Sequence, residues 1–402
     1  GSYEVWVHNG HGGDFGWSGP VPLTVDLAAE PQWNGQRRNV TSFGANPADG
    51  GDDTAAFVQA FRAAAAGDTI VIPKGIYRIS APLALEVPAS IEGEGADRTI
   101  LEFVNGSGRA GAIFSIRGFP SRVRDVTFRS RVTSGIGHEN AVVVWDGRGR
   151  NPSPRGVVIE RSVCETQPGQ LYSCFSIHSI NEVRVQGNKF LTNSGVLLWR
   201  VHQAFVQLNT FKGIWPDRDY SPLTAVGSSV SSQVVVEGNE AASADRRAGA
   251  TLSRFYVAQG HSHGMTFDHY VADNRIYETG CATLTCGENI LVESPGTLFT
   301  GHATSVGETT LTFAGVNWRP NQFRMDDPER FDHHEENRPS VLIVQSGTGE
   351  GQYRRIVSNT ASAITVDRPW EIPPDTNSVL TVVTTAFHKV IYRNVIQGWE
   401  GA

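Results

Sequence analysis

Charge is scarce in this chain. Only 19% of its 402 residues are charged, 34 Lys and Arg against 41 Asp and Glu, for a net charge of −7. That charge is spread without long runs, so nothing recruits nucleic acid or an anionic membrane surface, and an uncharged or weakly charged partner is expected. A run of about 18 apolar residues is also missing, which excludes a membrane-spanning helix and membrane insertion. Cysteine is limited to two close pairs, Cys164 with Cys174 and Cys281 with Cys286. Buried thiols or disulfides would both suit such spacing; placement inside turns favours disulfides, and with them a secreted or cell-surface protein. The chain opens Gly1-Ser2 with neither an initiator Met nor a signal peptide, and is expected to be a processed or excised piece.

Glycine is abundant, at 43 residues, and 39% of the chain is apolar. Many tight turns and few long helices follow, which favours β structure. Length alone suggests two or three domains, although one elongated domain also fits.

Residues 1–29 contain two strand patterns, Tyr3 to Val7 and Val21 to Val25, around a Gly-rich turn. Two strands cannot close a sandwich, and they resemble the C-terminal end of a preceding immunoglobulin-like module. A polar linker from Glu30 to Arg38 leads into the main domain. There, Asp52 to Phe61 reads as a short helix, with carboxylates at its N-terminus and Phe57 and Phe61 one turn apart on one face. The apolar strand Thr69 to Ile72 follows, and then Pro73 to Ile79 with Gly75 and Tyr77.

Val40 to Ala45, Gly51 to Ala60 and Thr69 to Ile79 together resemble the start of the pectate lyase superfamily, the polygalacturonase and tailspike-like group. The shared pattern is Phe-Gly-Ala, an Asp-rich turn, a capping helix and a Val-x-Pro-x-Gly-x-Tyr strand. The resemblance implies an all-β chain, a right-handed parallel β-helix whose open end the helix caps, of the kind that binds or cuts polysaccharide. Lyases, hydrolases, epimerases and phage tailspikes share it, so it does not choose a reaction.

An internal repeat supports the same fold. Val185 to Phe190, Val206 to Phe211, Val236 to Ala241, Val271 to Ile276 and Ile391 to Ile396 each place Asn between apolar residues, with degenerate copies at Val123 to Phe128 and Val158 to Val163. Coils stacked about 4.8 Å apart put equivalent positions over one another, so inward Asn side chains can bond along a column. Each coil then reads as a strand, a corner, an Asn-bearing strand and a return loop. Corner extensions occur at Asp146 to Arg155, at Gln259 to Asp268, and as an insert over 295–386 that reads as a small β subdomain. The β-helix therefore spans 30–294 and resumes at 387–402. Nothing like a cap follows, so further coils, a neighbouring domain or a subunit is expected at that end.

Polysaccharide cleavage needs a pair of carboxylates, or a base beside a cation that neutralises a uronate. The ends of the first strands present a polar ladder beside the extended corners: Arg117, Asp146, His178, Arg200, Gln259 and Glu293. Loops on a rigid scaffold commonly carry a site, although such a ladder can also be a plain solvated face. Asp146, Asp268 and Glu293 are the candidate catalytic carboxylates, with His178 and His261 as proton-transfer partners. Arg200, Arg117, Gln259, Trp215 and Tyr220 are candidate substrate-binding residues. His261, His263 and Asp268 share one loop, where alternation places both histidines on one side and Asp268 could join them around a metal, although histidines bonded only within the loop fit as well. In the second cluster, Asp332 to Glu336, adjacent residues point to opposite sides and do not easily share one ion. No cofactor is required, and a divalent cation such as calcium would fit beside a uronate. The polygalacturonase set is incomplete, since His263-Gly264 is present while no Arg-x-Lys completes it. The epimerase-like Asp-Pro-His-Glu motif is missing, so neither branch supplies a catalytic residue. An exported glycoside hydrolase is expected ahead of a polysaccharide lyase. A non-catalytic glycan-binding or structural module of a surface fibre is the alternative.

Overall fold

The computed structural model describes residues 2–5, 21–24, 31–104, 113–132, 141–150, 152–167, 173–192, 194–213, 224–243, 254–259, 266–277, 289–293, 296–324, 340–384 and 386–397. Two units separate at residue 32. In the first, Ser2–Val5 pairs antiparallel with Val21–Thr24.

The second unit is a right-handed parallel β-helix. Three parallel sheets of eight, ten and nine strands run its length, and every strand pairs with its counterpart one coil away. We number the coils 1 to 9 by the strands of the nine-stranded third face, from Gly75–Ile79 to Val395–Gln397. Each full coil visits the first face, then the second, then the third. Coil 5 is representative, with strands Ser173–His178, Asn181–Gln186 and Lys189–Leu191. The Asn-bearing segment is thus two strands and not one: the chain turns at the Asn, between second and third faces. A left-handed residue precedes the Asn in each of these coils, with φ of 66° at Gly187, 56° at Leu208, 64° at Gly238 and 55° at Asp273. That residue reverses the chain direction sharply enough to divide the strand.

The Asn side chains bond in a column. Asn188 Nδ2 donates to Asn209 Oδ1 (3.1 Å), Asn209 to Asn239 (3.0 Å), Asn239 to Asn274 (3.0 Å) and Asn274 to Asn394 (2.8 Å). Each Oδ1 also accepts the backbone N–H of the Asn in the coil before, and each Nδ2 reaches a carbonyl such as that of Val185. The corner therefore satisfies its own buried polar groups. Beside it runs an aromatic stack through Phe114, Phe128, Phe175, Phe190, Phe211 and Phe255. The helix Thr54–Ala63 buries Phe57 and Phe61 on this core, Phe57 against Tyr77 and Phe61 stacked on Phe114. Cys164 and Cys174 form a disulfide that joins a third-face strand to the first-face strand of the next coil. Cys281 and Cys286 lie outside the described residues.

Between the first and second faces of coil 9 the chain leaves the solenoid. Strands from Gly296–Gly301 to Val379–Thr384 build one seven-stranded antiparallel sheet with its own core, including Leu311, Phe313, Ile356 and Val382. This subdomain packs back on the β-helix through Phe267, Val341, Ile343, Tyr353 and Val383.

Candidate functional site

The strand register sorts the candidate ladder. Asp146 pairs with His178, His178 with Trp199, Trp199 with Ser229, Ser229 with Gln259 and Gln259 with Glu293. Arg117 lies beside the first of these, one residue after Ile116, the partner of Trp145. Arg200 is one residue off this row. It occupies the left-handed corner with Ser179 and Val230 (φ 54°, 56° and 52°), and its side chain is buried. A single extra residue at the corner shifts the row, and sequence spacing alone does not show it. Trp199 and Ser229 take the positions between His178 and Gln259.

Asp146 and Glu293 are five coils apart on this row, about 24 Å at about 4.8 Å per coil. The candidates therefore fall into two groups. In coils 3 to 5, Asp146 is buried and accepts bonds from Arg148 Nε (2.8 Å), Arg148 Nη2 (3.2 Å) and Arg117 Nη2 (3.3 Å). Burial raises its pKa, but the guanidiniums, Arg148 foremost, more than offset this and hold it below the ordinary carboxylate range. His178 is buried beside it, with Nε2 2.7 Å from Ser176 Oγ. Burial first, and the Arg148 charge second, push its pKa down to about 4, against the opposing pull of Asp146. Asp146 thus stays an anion and His178 stays neutral near pH 7.

The second group lies at coils 8 and 9, beside the subdomain. Gln259 Nε2 donates to Glu293 Oε2 across the coils. Asp268 is not in the corner loop but in the second-face strand Thr266–Ala272, at a left-handed position (φ 55°). That position recurs as Glu182, Gln203, Gln233 and His388, an outward column of polar residues. Asp268 Oδ1 accepts from His388 Nδ1 at 2.8 Å, and His388 Nε2 lies 2.5 Å from the Tyr353 hydroxyl of the subdomain. Asp268 can only accept, so the imidazole proton is on Nδ1 and Tyr353 donates to Nε2.

Beneath this chain the solenoid interior turns polar. The inward column Val157, Val183, Ala204, Val234 continues as His269 and Lys389. Tyr256 donates its hydroxyl to His269 Nδ1, His269 Nε2 donates to the Ser231 carbonyl (3.0 Å), and Lys389 Nζ donates to Thr266 Oγ1 (3.3 Å). Burial lowers Lys389 to about 7, against the pull of Asp268; burial and then the Lys389 charge lower His269, and burial raises Tyr256.

His261, Trp215 and Tyr220 lie outside the described residues, as do His263 and the Asp332 to Glu336 cluster. Among the described residues no group of three or more His, Cys, Asp or Glu could hold a metal ion, and no helix is long and apolar enough to cross a membrane. Sequence reasoning missed His388, Tyr353 and Lys389. A signal for His388 was present: Asn274 and Asn394 align in the repeat, and six residues back from each stand Asp268 and His388. Nothing in the sequence marks Tyr353.

No curated protein matches the sequence. Among solved structures, the chain is similar to a family 28 exopolygalacturonase of Yersinia enterocolitica, with 12% identity, a TM-score of 0.37, and coverage of 72% of this chain and 65% of that one. For the mannuronan C-5 epimerase AlgE4 A-module of Azotobacter vinelandii, identity is 15%, the TM-score 0.28, and coverage 60% and 76%. An alginate lyase from a Paenibacillus species gives 10%, 0.32, and 64% and 97%. Residues 37–153, from the strand before the cap to just beyond Asp146, match the family model described as rhamnogalacturonase A/epimerase, pectate lyase-like.

Proposed function

We propose that this protein is an exported polysaccharide-degrading enzyme whose substrate lies along the outer side of the first face, with its chemistry at coils 8 and 9. The carrying observation is one straight row of side chains that is buried at one end and exposed at the other. It begins at buried Asp146 and His178, passes half-buried Trp199, buried Ser229 and half-buried Gln259, and opens at exposed Glu293 beside the subdomain. A floor of this kind suits an extended chain of sugar rings, with the Trp199 indole offering a stacking surface.

The same contrast assigns roles. Asp146, tied by two guanidiniums, has no proton to give and holds Arg117 and Arg148 in place. Glu293 is the accessible carboxylate of the row. Hydrolysis by a carboxylate pair needs separations of about 5 to 9.5 Å, so Asp146 and Glu293, some 24 Å apart, cannot serve together. Glu293 with Asp268, on adjoining coils, is the pair left to a hydrolase. A lyase is the second reading, because Asp268 is already engaged in a chain that ends on a phenol.

The test is incubation with a panel of neutral and uronate-containing polysaccharides, reading both reducing ends and the absorbance of unsaturated products. Cleavage that falls at least about 100-fold in Glu293→Gln supports a hydrolase with its acid–base group on this row. Release of neither product from any substrate would leave a glycan-binding module in its place.

A further inference from the structure

The bond chain from Asp268 through His388 to Tyr353 joins the solenoid to its inserted subdomain. Its residues come from coil 8, from coil 9 and from the subdomain strand Tyr353–Asn359, brought together from up to 120 positions apart. It is open to solvent: the His388 and Asp268 side chains are 50% and 34% exposed. Gln259 and Glu293 end their first-face strands at the same corner from which Thr266–Ala272 and Ala386–Tyr392 begin. Tyr353 and Arg355 point to the same side of their strand, toward the solenoid, and the Arg355 guanidinium lies 5.9 Å from the centre of the Phe267 ring.

We propose that Tyr353 is a catalytic acid–base residue supplied by the subdomain, that His388 and Asp268 position it, and that Arg355 meets the carboxylate of a uronic-acid residue. This rests on the second, lyase reading above, in which Asp268 positions and does not pair with Glu293, and it narrows the substrate to a 4-linked uronate chain. Tyr353 passes its proton to His388 Nε2, and the imidazolium is held by Asp268, as a carboxylate holds the imidazole of a serine hydrolase. The phenolate removes the proton on C5 of the uronate. The released electron pair forms the C4–C5 double bond, and the bond from C4 to the glycosidic oxygen breaks. That oxygen takes the proton now on Tyr353, and His388 returns its own to the phenolate. No co-reactant is consumed. Arg355 lowers the cost of charge developing on the uronate carboxylate.

The experiment uses the whole chain with polygalacturonate and alginate as probes, reading unsaturated ends and reducing ends in parallel. Tyr353→Phe, which removes one oxygen and keeps the ring against Phe267, is expected to lower kcat at least about 100-fold with KM nearly unchanged. Asp268→Asn is expected to lower kcat and to move the alkaline limb of the pH profile, which a merely structural contact would not do. Arg355→Ala should raise KM on these probes. Activity of Tyr353→Phe within threefold of the parent overturns the inference. Reducing ends without unsaturated ends also overturn it, while the broader reading as a polysaccharide-degrading enzyme stands. Should the parent act on no polysaccharide, that reading falls and the inference with it. If Tyr353→Phe fails to fold, as its circular dichroism would show, the Asp268→Asn profile decides: an unshifted profile overturns the inference.

Discussion

His178 shows how one buried residue ties stability to pH. Its pKa is about 4 in the fold against 6.5 when free, so between those values the unfolded chain binds a proton that the folded chain refuses. Its contribution is fully present above about pH 6.5 and is lost as pH falls toward about 4, on the order of 3 kcal/mol in all. Urea melts at about pH 7 and about pH 4.5 should show a smaller acid loss in His178→Gln than in the parent. Lys389 works in the opposite pH range. Its folded value is near 7 against 10.5, so stability falls as pH drops from about 10.5 toward 7, and at neutral pH the amine is a cost. Lys389→Met should therefore raise the unfolding free energy from urea melts at neutral pH, by roughly 1 to 3 kcal/mol. Neither shift is legible in the sequence, because each arises first from burial between stacked coils and then from charges that the fold brings near, Arg148 and Asp146 at His178 and Asp268 at Lys389.

At the scale of the coil, the Asn column is where sequence and structure agree most closely. Asn209 accepts from the Asn188 backbone and side chain, and donates to Val185 and Asn239. Asn209→Ala leaves several buried backbone and amide groups without partners, at about 1 to 3 kcal/mol each, so a loss above about 3 kcal/mol is expected in a denaturation curve. The Asn recur in sequence because each coil imposes the same corner, and the cap motif is legible for the same reason: Phe57 and Phe61 must cover an apolar end. The single-strand reading of the Asn segment went astray because the left-handed residue before the Asn can be Gly, Leu, Asp or Arg, so no residue type announces the bend. Arg200 left the row for a similar cause. It stands at a left-handed corner shared with Ser179 and Val230, three residue types without a common signature.

For the molecule as a whole, the subdomain and the solenoid share the candidate site, and Phe267 is the hinge of that sharing. Its ring is 2% exposed, clustered with Val341 and under Arg355. Phe267→Ala should cost about 3 kcal/mol or more and loosen the subdomain, seen as faster hydrogen exchange over 340–384 with the Asn column of coils 5 to 7 unchanged. From the sequence alone came the parallel β-helix, its cap and its column, because these depend on a period that each coil repeats and on apolar positions that must face inward whatever their neighbours do. Tertiary structure alone decided which polar residues meet. It set Asp146 and Glu293 five coils apart and joined Asp268, His388 and Tyr353, since a side chain's partner in a solenoid is fixed by coil register and by where an insert folds back. Both depend on loop lengths and packing between segments distant in the chain, and no local pattern of residues encodes them.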